Sequence, residues 1–329
     1  DLGNNRIKEI QPGAFADLKS LEKLDLSNNQ LKNIPENLFH GLVSLRYLKV
    51  DHFTLCCYAE KSNPGVTCIS NESDGISSCD ELLKNTVLKY CIWILGIMAF
   101  AGNLIVIIWR AIAKDVNRVN SFLLTNLAVA DLLMGVYMLI IAYKNTEWDG
   151  VYFKHDFSWR DSYLCKFAGV ISIVSSEVSV LTLTVITLDR LICIVFLFRF
   201  TRWSVKKASA IMFAVWILGF CISTTPLFYD AYFYNYELDV HFFGRSAVCL
   251  PFHLSNDRPS GWEYSVSLFI VLNGVSFLFI LLAYASIYHT TVKSAKNVRV
   301  ILLLRVSEFI LSGLSNVYGS THNREFQKY

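Results

Sequence analysis

The chain has 329 residues, of which 53% are hydrophobic and 17% are charged, and its formal net charge is +3. This balance is too apolar for an ordinary soluble domain, and so small a net charge does not indicate a nucleic-acid partner. The sequence contains no phosphate-binding loop, no HExxH or GxSxG motif and no zinc-spaced set of cysteines and histidines. We therefore predict neither an enzyme nor a nucleic-acid-binding protein.

The chain opens with an internal repeat. Asp1-Leu-Gly-Asn-Asn5 recurs as Asp25-Leu-Ser-Asn-Asn29, an offset of 24 residues that the following apolar positions share. A period of about 20–29 residues is typical of leucine-rich repeats, whose leucines fill a common core while asparagine caps the turn. We predict that residues 1–50 form two repeats of an α/β-type solenoid. Because about three repeats are needed to bury a continuous core, we expect further repeats upstream.

Residues 51–86 are predicted to be a cysteine-bearing extracellular hinge. It contains four cysteines, Cys56, Cys57, Cys68 and Cys79, which allow three pairings that the sequence does not distinguish. Asn71-Glu-Ser73 is a glycosylation sequon in the same segment.

Five apolar stretches follow. Each is about 20 residues or slightly longer, which matches a hydrocarbon layer roughly 30 Å thick at about 1.5 Å per helical residue. Five such stretches in succession exclude a soluble helical protein, so residues 87–292 are predicted to form an all-α bundle of five transmembrane helices. The stretches are 90–109, 121–143, 167–188, 208–229 and 265–288.

The basic residues predict the orientation of these helices. Eleven lie in the links on one side and six lie in the longer links on the other. Since cytoplasmic links carry the excess of lysine and arginine, the N-terminus is predicted to be outside. Six of the nine cysteines then also lie outside, where an oxidising compartment lets them pair. No signal peptide is visible, and we expect the chain to be incomplete at this end.

Isolated polar residues inside the apolar stretches need a reason, because they are costly in a bilayer. These residues, with others at the helix ends and in the loops, are Gly102, Asn103, Asn126, Asp131, Cys165, Glu177, Asp189, Arg190, Trp216 and Cys249. Their order along the chain resembles that of the rhodopsin-like G protein-coupled receptors. Two further segments, Cys57-Tyr-Ala59 in the hinge and Leu191-Ile-Cys-Ile-Val195, are similar to the relaxin-family peptide receptors.

The resemblance implies roles for particular residues. It implies a disulfide between Cys165 and Cys249 that holds an outer loop over the bundle. It implies that Asp189, Arg190 and Tyr284 serve activation and G protein coupling, and that Asn103, Asp131 and Ser179 form a polar network around a sodium ion. No other metal or cofactor is implied. The role of Glu177 stays open, and a hydrogen bond to a neighbouring helix is one alternative.

The resemblance further implies a plasma-membrane receptor for a relaxin- or insulin-like peptide, captured by the repeats and signalled through a heterotrimeric G protein. Residues 293–329 are predicted to be a divergent cytoplasmic tail, because the run after Lys296 is short and carries Arg305 and Glu308. The Cys-Trp-x-Pro and Asn-Pro-x-x-Tyr motifs of helices 6 and 7 are absent. Three alternatives stay open: a non-signalling isoform acting as a decoy or dominant-negative partner, a glycoprotein-hormone-type receptor, and an adhesion protein.

Overall fold

A parallel sheet of three strands lies at the N-terminal end: β1 (Lys23–Asp25), β2 (Tyr47–His52) and β3 (Thr67–Glu72), in that order. The computed structural model describes residues 1–32, 34–72, 75–113, 117–196, 199–234, 240–250 and 260–296. Lys23 pairs with Tyr47, which is the 24-residue offset of the sequence repeat. β3 pairs with β2 from Thr67 onward, so the sheet continues into the segment predicted to be a hinge.

The repeat residues form the solenoid core in the way that their periodicity predicts. Leu48 and Val50 alternate along β2 and are fully buried. Asn29 is also buried, and its amide nitrogen donates to the carbonyl oxygens of Leu26 (2.8 Å) and Leu2 (3.0 Å). Its side-chain oxygen accepts from the backbone N–H of Ile7 at 3.1 Å. One side chain therefore satisfies backbone groups of two successive turns.

Helix α1 (Phe53–Ser62) follows β2 directly and carries two of the hinge cysteines. Cys56 is bonded to Cys68 in β3, and Cys57 is bonded to Cys79. Successive residues on a helix point about 100° apart, so the adjacent cysteines reach different segments. This geometry selects one of the three pairings that the sequence left open.

The five predicted membrane spans are confirmed as helices that are long and apolar enough to cross a bilayer. They are α2 (Thr86–Ile112), α3 (Arg118–Glu147), α5 (Tyr163–Ile194), α6 (Val205–Phe228) and α8 (Trp262–Lys296). Two short helices, α4 (Tyr152–Asp161) and α7 (Asp230–Phe233), lie in the links. A 3₁₀ turn, Phe242–Arg245, lies in the link between α7 and α8.

Local sequence explains where the spans begin and how closely they pack. The side-chain oxygen of Asn85 accepts from Val87 N at 2.8 Å and caps α2. Asn117 caps α3 in the same way, accepting from Asn120 N at 3.2 Å. A Cβ at Gly135 would lie 2.5 Å from the backbone nitrogen of Phe100, so α2 and α3 need a glycine there in order to pack closely.

The chain divides into two compact units. The first comprises Asp1–Thr182 and Val205–Gly274, and the second comprises Leu183–Ser204 and Val275–Tyr329. The solenoid, α4 and the 240–250 loop all belong to the first unit.

Candidate functional site at the junction of the solenoid and the helices

Helix α4 carries a buried ionic cluster built on four-residue spacing. Tyr152, Asp156 and Arg160 share one face of the helix because residues i and i+4 are neighbours on a helix surface. The Asp156 carboxylate is fully buried, and its Oδ1 accepts from the Tyr152 hydroxyl (2.5 Å) and from Arg160 Nε (2.9 Å). A buried charge requires such partners. The helix therefore presents a fixed charged group between two neighbouring segments.

One of these segments is the end of the solenoid. His52, the last residue of β2, places Nε2 at 3.6 Å from Asp156 Oδ2. The Phe153 ring meets the Tyr58 ring edge-on at 4.7 Å, and the Lys61 ammonium lies 4.2 Å from the centre of the Phe153 ring. Lys154 pairs with Glu36 at 2.7 Å. α4 thus meets α1 through aromatic and cation–π contacts, and it meets the solenoid through Lys154 and Asp156.

The other segment is the 240–250 loop. Trp159 Nε1 donates to the carbonyl oxygen of Ala247 at 2.7 Å, and the Tyr137 hydroxyl donates to that of Val248 at 2.8 Å. Arg160 donates to the carbonyl oxygen of Arg245 at 3.0 Å. These donors hold three backbone carbonyls of one loop, so the loop has little freedom to move independently of α3 and α4.

The structure joins Cys165, near the start of α5, to Cys249 in the same loop, with Cα atoms 5.4 Å apart. Cys249 has a φ of 56°, a left-handed conformation that is uncommon for a residue other than glycine. Both cysteines are fully buried.

Two phenylalanines of the 240–250 loop pack between α5 and α8. Phe242 and Phe243 are buried in a cluster with Ile173 of α5 and Leu268 of α8. Phe243 lies so close to Gly169 that a Cβ there would be 2.2 Å from its ring. The space between α5 and α8 at this end is therefore filled by the chain itself.

Arg245 connects the loop to Phe233 and Ser260. Its guanidinium donates to the carbonyl oxygen of Phe233 at 2.7 Å, to Ser260 Oγ at 2.7 Å and to the Ser260 carbonyl oxygen. Burial lowers the pKa of Arg245 to about 10, so the side chain stays charged at neutral pH. Neutral backbone and hydroxyl acceptors thus satisfy most of a half-buried cation.

The predicted polar network is partly assembled inside the bundle. Ser179 Oγ donates to Asp131 Oδ1 at 2.6 Å. Asn103 donates to the Ala99 carbonyl oxygen of its own helix at 2.8 Å. The neighbouring α3 and α6 are linked by Trp216 Nε1, which donates to Asn126 Oδ1 at 3.0 Å. Asp131 and Ser179 therefore come together, whereas the amide of Asn103 is engaged locally.

Glu177 of α5 is fully buried and faces α8, where Asn273 donates to its Oε1 at 3.5 Å. Asn273 directly follows a π turn, Ser267–Leu272. Such turns add a residue to the helix and are frequent at functional sites. The hydrogen bond to a neighbouring helix, an alternative left open by the sequence, is present here.

The residues predicted to serve activation lie in the second unit. Asp189 is buried near the end of α5, and Arg190 is partly exposed beside it. Tyr284 lies on α8 with about half of its surface exposed. Of the predicted glycosylation sequon, Asn71 lies in β3, and Ser73 lies outside the described residues.

Comparison with known proteins identifies the family of the chain. Residues 102–316 match the family described as 7 transmembrane receptor (rhodopsin family). The chain belongs to this family. Residues 1–54 match the leucine-rich repeat family, so the chain is a rhodopsin-family receptor with N-terminal leucine-rich repeats. The receptor match runs beyond Lys296, into the segment predicted to be a divergent tail.

Curated receptors are among its relatives. The chain is 47% identical to G-protein coupled receptor GRL101 of Lymnaea stagnalis, over 77% of this chain and 22% of the relative. It is 34% identical to relaxin receptor 1 of Mus musculus, over 75% of this chain and 31% of the relative. Squid rhodopsin aligns with a TM-score of 0.48 and 19% identity, over 65% of this chain and 55% of that one. The chain thus spans about a fifth to a third of the curated relatives that it matches.

Sequence reasoning missed α4 and its cluster, because the link between the second and third spans is too short and too polar to stand out. The four-residue spacing of Tyr152, Asp156 and Arg160 was the available signal. It also missed the packing of Phe242 and Phe243 into the helices, since an aromatic pair in a loop carries no periodicity.

Proposed function

We propose that the chain is part of a G protein-coupled receptor for a relaxin- or insulin-like peptide hormone. The leucine-rich repeats capture the peptide on the extracellular side of the plasma membrane, and the helical bundle signals to a heterotrimeric G protein. The similarity to relaxin receptor 1 supports this ligand class.

The observation that carries the proposal is the continuous contact from solenoid to helices. Lys154 of α4 pairs with Glu36 of the solenoid, and Trp159 of the same helix bonds the 240–250 loop. The loop in turn is bonded covalently to α5 through Cys165 and Cys249. A peptide that displaces the solenoid therefore acts on a chain of packed contacts that ends at a membrane-spanning helix.

The filled space between α5 and α8 also supports capture by the solenoid. Phe242 and Phe243 occupy the position where a small ligand would enter between these helices. The solenoid instead offers an exposed sheet face, on which Lys49 and Asp25 form a partly exposed ion pair at 3.8 Å. Extended concave faces of repeat proteins are suited to binding peptides.

Within the bundle, the proposal gives Asp189, Arg190 and Tyr284 the roles of activation and G protein coupling. Arg190 stays charged at any physiological pH, which suits it to pairing with Asp189 at rest and to contacting a G protein after release. Asp131 and Ser179 supply oxygen ligands that suit a sodium ion. The family resemblance adds Asn103 to this polar network.

The test uses the full-length receptor encoded by the native transcript, expressed in cells and challenged with a panel of relaxin- and insulin-like peptides. At least one peptide should stimulate nucleotide exchange on a G protein. Arg190→Ala should abolish this exchange and leave peptide binding and surface expression intact. Arg199→Ala, an exposed arginine in the following link, is the matched control and should retain most of the response. Exchange that persists in Arg190→Ala would overturn the proposed coupling role.

A further inference from the structure

The buried Asp156 carboxylate has one oxygen that its own helix does not satisfy. Oδ1 accepts two hydrogen bonds from α4, whereas Oδ2 has no hydrogen-bond partner among the described residues. His52 Nε2 lies 3.6 Å from Oδ2, and the His52 ring becomes a cation when it is protonated. A buried acceptor without a donor is costly, so any change that gives Oδ2 a stronger partner stabilises this contact.

His52 is placed so that both of its ring nitrogens can carry protons. Nδ1 accepts from Thr54 N at 3.4 Å and lies 3.0 Å from Thr54 Oγ1. In the neutral ring Nδ1 acts as the acceptor, which puts the proton on Nε2, facing Asp156. In the charged ring Nδ1–H has the Thr54 hydroxyl oxygen as an acceptor, and Nε2–H keeps the carboxylate. Protonation therefore keeps a partner for each ring nitrogen, although the Thr54 N–H loses its acceptor on His52.

The charged groups around His52 act in opposite directions. Asp156 on α4 favours the charged ring, although Arg160 on the same helix already offsets part of that carboxylate's charge. Glu72 is the strand partner of His52 in β3. The N-terminus of α1, which His52 caps, disfavours a cation. The Phe157 ring, 4.8 Å away, supplies only an aromatic contact.

The balance favours the Asp156 carboxylate. Asp156 is fully buried, and His52 retains only 15% of its side-chain exposure, so their attraction is weakly screened. The opposing effect of the α1 N-terminus acts on His52 directly, because His52 caps that helix, but it corresponds to only about half an elementary charge.

We propose that Asp156 is a positioning residue that couples the solenoid to the 240–250 loop, and that protonation of His52 strengthens this coupling. The path runs from His52 at the end of β2 to Asp156, through Arg160, and on to the carbonyl oxygens of Gly244 and Arg245. Because protonation adds a positive charge beside the buried carboxylate, the stabilisation is present at acidic pH. It is lost as the pH rises through the ordinary titration range of histidine, about 5 to 8. One consequence of this proposal rests on the proposed function: the solenoid of the receptor is held more firmly in acidic surroundings.

The test is hydrogen–deuterium exchange of the full chain in lipid nanodiscs at pH 5.5 and 7.5, with exchange times corrected for the intrinsic pH dependence. In the wild-type protein, protection of peptides from α4 and from residues 240–250 should rise by about tenfold at the lower pH, as expected when the neutral ring that faces the buried carboxylate becomes a cation. His52→Gln should remove this rise. His155→Gln is the matched control: His155 lies on α4, stacks on Trp148 at 5.2 Å and should leave the rise intact.

Equal protection at the two pH values in the wild-type protein would overturn the proposal, as would a pH response that survives in His52→Gln. If His52→Gln does not fold, titration of the His52 ring by NMR in the wild-type chain gives the same decision. The proposal then requires the ring to titrate in step with protection of the loop, and a ring that titrates without any change in protection contradicts it. Neither measurement uses a peptide or a G protein, so failure here is distinguishable from failure of the proposed function.

Discussion

The indole N–H of Trp159 donates to the carbonyl oxygen of Ala247 over 2.7 Å, and both residues are buried. This bond joins α4, between the second and third spans, to the loop between the fourth and fifth. Because α4 also contacts α1 through Phe153 and Tyr58, a short helix in a link makes contact with the solenoid on one side and with the bundle on the other.

Trp159→Phe should destabilise the protein by about 1–3 kcal/mol, because the Ala247 carbonyl then loses its donor in a buried site. The measurement is the midpoint of thermal unfolding of the purified chain in detergent. Trp109→Phe is the matched control, since Trp109 is 72% exposed on α2, and it should change stability by less than about 0.5 kcal/mol. Equal midpoints for the two variants would show that the bond is not needed.

Gly169→Ala should also destabilise, by about 1–3 kcal/mol, since its Cβ would overlap the Phe243 ring and force the loop to move. Gly102→Ala has open space around the new Cβ and should be neutral or stabilising by up to about 1 kcal/mol. The same thermal measurement compares the two variants. A stable Gly169→Ala protein would mean that Phe243 does not pack between the helices.

Ser179→Ala should cost more than Ser172→Ala, although both serines lie on α5. Ser179 donates to the Asp131 carboxylate, and a hydrogen bond to a charged group contributes about 1.5–3 kcal/mol. Ser172 donates to a neutral carbonyl oxygen of its own helix, Gly169 O, and such a bond contributes about 0.5–1.5 kcal/mol. Thermal unfolding of the two variants measures the difference. The reverse order of cost would contradict a hydrogen bond from Ser179 to Asp131.

The proposed sodium site predicts a dependence on the cation at constant ionic strength. Replacing sodium by choline should lower the unfolding midpoint of the wild-type chain, because an ion that binds only the folded state stabilises it by mass action. Asp131→Asn should remove this dependence, because it takes away the charged oxygen ligand. A sodium response that is unchanged in Asp131→Asn would place the ion elsewhere.

Mass spectrometry of the unreduced, proteolysed chain should find Cys56 linked to Cys68 and Cys57 linked to Cys79. Digestion must cleave within α1 between the adjacent cysteines, for which partial acid hydrolysis serves. Cys56→Ser should then leave the Cys57–Cys79 link intact. A crossed pattern, with Cys56 on Cys79, would mean that α1 is rotated from the orientation described here.

The sequence predicted those parts of the fold that depend on periodicity. The 24-residue offset gave the pairing of Lys23 with Tyr47, and the lengths of the apolar stretches gave five spans. Contacts between segments distant in the chain could not be predicted in this way. The bond from Trp159 to Ala247 and the approach of His52 to Asp156 depend on how α4 lies between two segments, and no local pattern specifies that. β3 was missed because the 20-residue step from Tyr47 to Thr67 departs from the repeat.

The central claim, that the solenoid captures a relaxin- or insulin-like peptide, is tested most directly by peptide binding to the full-length receptor on cells. A peptide of this class should bind saturably. Tyr47→Ala combined with Lys23→Glu, two residues paired on neighbouring strands, should weaken binding by about tenfold or more at unchanged surface expression. Val43→Ala, at an exposed position outside the strands, should not weaken it. If no peptide of the class binds, or if binding is unchanged by the strand substitutions, the claim is contradicted.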